Sequence, residues 1–360
     1  MSKRIHNFCA GPCTLPLSVL ENAQKELLDF QNSGMSLMEI SHRSKIFEPL
    51  HEETLALACE ILAVPDDFQC LLLPGGASQQ FVMTAINLLE DGKTAAFIDS
   101  GHWAQKAQSE AARIGETEIA WSGKDKNYRE LPTSNDIKIS DRARYLHITS
   151  NETIGGIQFP KYPEARVPLV IDASSDFYTR PIPWDACDIV YGGAQKNLAP
   201  AGIAVVFVRK TLLQDKKTAP KFLLYKTHAD SNSLYNTPPT WQIYILNGVL
   251  KWMKSLGGVP YFQKFAAEKS QKLYEFIDKS DFYRNEIPSA FRSKTNVVFL
   301  TPNAELDTKF WQEAEKEGLS GLKGHRVVGG LRASIYNAMQ MESVDALIKF
   351  MEKFAQENKA

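Results

Sequence analysis

Lys196 is delivered by a short apolar run, Asp188 to Tyr191, through Gly192-Gly193-Ala194 and then Gln195. That order predicts an amine just past the carboxyl end of a strand, the edge of an open α/β sheet where ligands bind. Paired glycines let the backbone pass close to a ligand, and partial desolvation lowers an amine's pKa, making it nucleophilic toward carbonyls. Spacing alone does not separate this lysine from a solvated one. Upstream, Pro168 to Ser175 places Asp172 at the end of another apolar run. A lone carboxylate there needs a partner such as a protonated ring nitrogen, and a cap for the next segment is its plainer use. Leu73-Pro74-Gly75-Gly76-Ala77-Ser78 leads from a strand into a helix with Phe81, Ala85, Leu88 and Leu89 on one side, so its amides and the Ser78 hydroxyl form an anion-binding helix start. Asp99-Ser100-Gly101-His102-Trp103 sets an indole after a further strand, where it would stack on a flat ring or fill the core.

The elements that must position these residues form an alternating series. From about residue 16 to residue 210, helical stretches alternate with apolar runs at Cys70–Leu73, Ala95–Ile98, Arg144–Ile148, Leu169–Ile171, Ile189–Tyr191 and Ile203–Val208. Several runs are apolar throughout, as expected of strands in a parallel sheet covered on both faces. After Pro238-Pro239, a helix over Trp241–Leu256 ends at Gly257-Gly258 and could join two lobes. Beyond it the pattern predicts a helix at Val259–Lys279, a strand at Asn296–Leu300, a helix at Leu306–Glu317, a strand at Arg332–Ile335 and a closing helix from about Ser343. The expected organisation is an arm over residues 1–15 that contributes to the active site, a large α/β domain over 16–256 and a smaller α+β domain over 257–360.

Composition narrows the function classes. The chain is 44% hydrophobic and carries 41 Lys plus Arg against 42 Asp plus Glu, so no overall field favours nucleic acid or an anionic membrane. Any anion site must be local. The five cysteines include no C-x-x-C pair, no signal peptide opens the chain, and no apolar run approaches the roughly 18 residues of a membrane span. A cytoplasmic protein is expected. His51-Glu52-Glu53 lacks the second histidine of a zinc protease, because Leu55 stands there, and no metal is expected. Gly92-Lys93-Thr94 lacks the first glycine of a phosphate-binding loop, since Asn87 stands there, and reads as a turn. Asn151-Glu152-Thr153 matches a glycosylation sequon that a chain without a secretion signal would not use.

Taken together, the segments carry a resemblance. Gly11-Pro12, Ser41-His42-Arg43, Gly75-Gly76-Ala77-Ser78, Ser100-Gly101-His102-Trp103, Asn151-Glu152-Thr153-Ile154, Gly192 to Asn197, Tyr235 to Thr240 and Lys323 to Ser334 occur in an order, across essentially the whole chain, that resembles the phosphoserine aminotransferase family. The resemblance implies the type I fold of pyridoxal-phosphate-dependent transferases, with a large domain of mainly parallel sheet and a small α+β domain. It implies that Lys196 holds pyridoxal 5′-phosphate as a Schiff base and moves the proton at the substrate's α-carbon. Asp172 would pair with the ring nitrogen and Trp103 would stack on the ring. Ala77, Ser78, Thr153 and Gln195 would complete the cofactor contacts, with Asn236 and Thr237 reaching the phosphate from the other subunit of a homodimer.

The implied reaction is transfer of an amino group from L-glutamate to 3-phosphohydroxypyruvate, giving 2-oxoglutarate and O-phospho-L-serine. Members of the family also act on the phosphorylated hydroxythreonine precursor of vitamin B6. Two anionic groups on the substrate need two cationic sockets, which arginine's planar fork suits. The resemblance assigns Arg332 to the α-carboxylate. It assigns His42 and Arg43, joined by His325 and Arg326 of a partner subunit, to the phosphate or glutamate's side-chain carboxylate. Two positions depart from some relatives: Ser78 stands where some have arginine and Ala10 where some have serine, which puts substrate affinity in more doubt than reaction type. Cys9, beside Ala10, receives no role. A cysteine desulfurase or lyase, which would use a reactive cysteine on a loop by the cofactor, and a non-catalytic binding protein of the same fold are the alternatives.

Overall fold

The structure is a computed structural model describing residues 4–359, so residues 1–3 of the expected arm and residue 360 of the expected small domain lie outside it. Its main sheet contains β1 (Phe68–Pro74), β2 (Thr94–Asp99), β3 (Glu116–Ser122), β4 (Ala143–Thr149), β5 (Leu169–Asp172), β6 (Ile189–Gly193) and β7 (Ile203–Arg209), in the spatial order β1-β7-β6-β5-β4-β2-β3. Strand β7 runs antiparallel to both its neighbours, and the remaining pairs are parallel. Strands β1 to β6 therefore point the same way. Their carboxyl ends share one edge.

The unbroken apolar runs follow from burial on both faces. Along β1, Cys70 and Leu72 pack into one core with Ile171, Val190 and Phe207. Leu71 and Leu73 pack into another with Phe81, Val170, Tyr191 and Val206. Alternate residues thus enter different cores, and the central stretches of the inner strands are mostly hydrophobic on both faces. The helices Gly76–Leu88 and His102–Ala111 contribute to the second core. Each of the six expected runs lies within an observed strand, extended by one or two residues at one end or both. Strand β3 was not anticipated. Its sequence is polar, with Ile119 half exposed, because it forms an edge of the sheet and has little surface to bury.

The helix Thr240–Ser255 packs on the helix Phe47–Ile61, where Asn247 Nδ2 donates to Thr54 Oγ1 at 3.2 Å. A separate core then gathers Leu273, Tyr283, Phe299, Phe310, Phe350 and Phe354. It joins the helices Gly258–Asp278, Ala304–Lys316 and Met341–Asn358 to the antiparallel pair β8 (Asn296–Phe299) and β9 (Leu331–Ser334). The arm serves both cores. His6–Asn7 pairs with Leu319–Ser320 and Phe8 is buried in the C-terminal core, after which Ala10 and Gly11 reach the sheet edge. No helix among the described residues is long and apolar enough to cross a membrane.

The turn after β5 is held by a buried ion pair. Asp176 meets Arg180 at 2.9 Å, accepts from Gln158 Nε2 at 2.9 Å, and accepts from the Ser150 hydroxyl. Arg180 in turn donates to Phe159 O at 2.6 Å and covers the Tyr162 ring. Removing one partner of such a pair leaves the other charge buried and unpaired. Asp176→Ala is expected to lower unfolding free energy by about 3–5 kcal/mol, measured by denaturant titration of the variant and the unmodified chain.

Candidate active site

Five strand ends converge on one cavity. It has a volume of about 320 Å³ and is lined by residues that follow β1 (Gly75 to Ser78), β2 (Trp103), β4 (Thr153, Ile154) and β6 (Gln195, Lys196), together with Asp172 of β5. Lys196 is only 8% exposed, and its Nζ donates to Thr153 Oγ1 at 2.7 Å. Burial pulls its pKa down to about 8, against Asp172 and Glu152, which raise it, and with Arg332, which lowers it further. The amine lies 5.3 Å from the centroid of the Trp103 ring. Its backbone is clamped from the arm: Cys13 N–H donates to Gln195 O at 3.1 Å and the Cys13 thiol donates to Lys196 O.

Asp172 is buried at the last position of β5, and one carboxylate oxygen accepts from Ser174 N at 2.9 Å and Ser174 Oγ at 2.6 Å. Burial raises its pKa, while Lys196 and the Ser174 bonds hold it down. Across the cavity, Gly75 caps the helix Gly76–Leu88 with φ +90°, a conformation that glycine adopts without strain. No side chain caps that helix start, so its first amides are left to a ligand. Trp103 Nε1 is buried without a partner. An amine, a carboxylate, an uncapped helix start and an indole therefore face one space, a donor set that fits pyridoxal phosphate.

Arg332, on β9, lines the same cavity, and its Nε is buried without a partner. His325 also lines it, with its ring 5.4 Å from that of His102. The resemblance brings His325 from a partner subunit, and within this chain the turn before β9 sets it on the cavity wall. Burial lowers the His325 pKa, as do His102, Arg332 and Arg326. His42, Arg43, Arg326, Asn236 and Thr237 do not line this cavity, and Arg43, Arg326 and Thr237 are exposed. Burial and Arg43 lower the pKa of His42.

Three participants escaped the sequence reading. Ser174 orients Asp172, Cys13 holds the lysine backbone, and Glu152 accepts from Trp103 N at 3.1 Å and Ala104 N at 2.9 Å. None of the three carries a local signal, because each acts through partners distant in sequence or through the backbone.

A model of the aminotransferase class-V family matches residues 5–347. The chain is 58% identical over 356 residues to a phosphoserine aminotransferase from Dichelobacter nodosus, covering 99% of each. Among solved structures it is similar to phosphoserine aminotransferase from Bacillus circulans subsp. alkalophilus, with TM-score 0.97 and 46% identity over 99% of this chain and 100% of that one. A pyridoxal-phosphate-bound phosphoserine aminotransferase from Trichomonas vaginalis matches with TM-score 0.90 and 36% identity, over 97% of this chain and 100% of that one.

The buried amine makes a prediction about the cofactor-free chain. Lys196 should react with an amine-directed reagent more readily as pH rises, with a midpoint near its pKa of about 8, which is below the ordinary lysine value. Asp172→Asn removes a charge that raises this pKa, so the midpoint should move lower. Peptide mapping of modified Lys196 across pH measures both.

Proposed function

The chain belongs to the class-V aminotransferases, enzymes dependent on pyridoxal 5′-phosphate, and from that premise we propose that it moves the amino group of L-glutamate to 3-phosphohydroxypyruvate, giving 2-oxoglutarate and O-phospho-L-serine. One observation carries the reading: Lys196, Asp172, Trp103 and Arg332 line a single cavity. When bound, the cofactor supplies an electron sink for negative charge developing at the substrate's α-carbon.

The protein's own groups supply the rest. Asp172 is the acid that would hold a proton on the ring nitrogen, and Ser174 fixes its orientation. Lys196 removes the α-proton and returns it, a role suited to an amine whose pKa lies at about 8. Thr153 Oγ1 accepts from that amine and fixes its place in the cavity. The amides that open the helix Gly76–Leu88 receive the cofactor phosphate, with Ala77 and Ser78 in its first turn and Gln195 on the cavity wall. Trp103, whose ring centroid lies 5.3 Å from the Lys196 amine, would cover a face of the cofactor ring and shield it from water.

Arg332 takes the α-carboxylate through its guanidinium fork. His325 with Arg326, and His42 with Arg43, take the distal phosphate or carboxylate. Because His42, Arg43, Asn236 and Thr237 lie away from their own chain's cavity, their roles require a second copy, and the reading includes a homodimer. Exposed Leu28, at 84%, and Met38, at 58%, support a contact between copies. The phosphorylated hydroxythreonine precursor of vitamin B6 belongs to the same substrate class. A cytoplasmic location completes the proposal, supported by five free thiols.

Glutamate should discharge the cofactor's visible band and 3-phosphohydroxypyruvate should restore it, as followed by absorbance. An equal response to alanine and glyoxylate would refute the substrate and leave the transaminase intact. Lys196→Ala should abolish the lysine-bound band, and Arg332→Lys should lower kcat/KM about a hundredfold by losing the bidentate grip, measured with glutamate as donor.

A further inference from the structure

Glu152 has no part in the chemistry above, yet it is 1% exposed and close enough to Lys196 to raise that amine's pKa. Its two carboxylate oxygens accept separately, Oε2 from Trp103 N at 3.1 Å and Oε1 from Ala104 N at 2.9 Å. These amides belong to the second and third residues of the helix His102–Ala111, whose own N-cap is Gly101 and makes no side-chain bond. The capping group therefore comes from a different strand end. Gly101 has φ +153°, and a Cβ there would lie 3.0 Å from the Glu152 carboxyl carbon. The helix start is built around this carboxylate.

Burial and nearby Asp172 push the Glu152 pKa up to about 7, against the Ala104 and Trp103 amides and Lys196, which hold it down. A buried acid is costly, and here the amides and the positive end of the helix offset that cost. The flanking residues attach to other walls. Thr153 receives Lys196 Nζ, and Asn151 Nδ2 donates to Ser175 Oγ at 2.7 Å and to Asn296 Oδ1 at 2.8 Å. Three consecutive residues thus tie the lysine, the indole and β8 together.

We propose that Glu152 is a positioning residue: by fixing the helix start from which Trp103 projects, it sets the indole over the cofactor ring. The inference rests on the function proposed above. A purely structural role would lower stability without touching the cofactor's environment.

The test uses holoenzyme carrying Glu152→Gln, Glu152→Ala or Trp103→Ala, and the double variant Glu152→Gln/Trp103→Ala. Readouts are the cofactor dissociation constant, the visible circular dichroism of the bound cofactor, and Tm. Glu152→Ala should weaken cofactor binding about tenfold and diminish the dichroic band, because two buried donors lose their acceptor. Glu152→Gln keeps one carbonyl acceptor but turns an N–H against an N–H, and should fall between. In the Trp103→Ala background, Glu152→Gln should change cofactor affinity less than about twofold, since effects that act through one group do not add. Full dichroism with unchanged affinity in the Glu152 variants, or additive losses in the double variant, would overturn the proposal. If Glu152→Ala does not fold, Glu152→Gln and the double variant still decide. Absence of a visible cofactor band in the unmodified protein would instead defeat the proposed function, and it is read first.

Discussion

The Lys196 amine is taken out of water, and the groups around it are arranged to offset that cost. A lysine in solvent stays protonated at neutral pH, whereas burial of Lys196 disfavours its charged form and brings its pKa down to about 8. Two carboxylates near it, Asp172 and Glu152, pull the other way and keep the shift moderate. Neither makes a direct ion pair with the amine, whose one hydrogen bond goes to the hydroxyl of Thr153. Each acid has its own donors, Ser174 for Asp172 and two helix amides for Glu152. The amine is therefore free to react while the charges around it stay satisfied.

The sheet makes this arrangement possible. Strands β1 to β6 all run one way, so groups separated by more than a hundred residues emerge at the same edge, while antiparallel β7 closes the sheet between β1 and β6 and brings its amino end, with Ala201 and Gly202, to that edge. Burial of both sheet faces fixes the register, since a slip of one residue would exchange the residues of the two cores. Residues at strand ends inherit that rigidity, as precise chemistry requires.

Much of this was readable because the signals are local. Lys196 and Asp172 follow apolar runs, Gly75-Gly76 precedes a helix pattern, and six strand positions follow from unbroken hydrophobicity. Residues whose meaning comes from distant partners were harder. Glu152 sits among polar residues, and its role appears only when β4 brings it beside the helix that begins at His102. Strand β3 is polar because it is an edge, so no hydrophobic run marks it. That His325 reaches the wall of its own chain's cavity depends on how the turn before β9 folds back, which spacing does not encode.

Charge in the cavity differs from charge on the chain. The whole protein is nearly balanced, at net −1, yet Arg332 and His325 share one cavity wall with Arg326 close enough to be felt. Burial lowers the pKa of the His325 imidazole, and His102, Arg332 and Arg326 lower it further. An anionic ligand would offset their field and favour the protonated ring, so ligand binding and proton uptake at His325 are coupled. The same coupling opposes binding as pH rises, because more of the imidazole must then take up its proton from a scarcer supply. The cavity thus gathers positive charge, fixed at Arg332 and titratable at His325, that the net charge of the chain does not disclose.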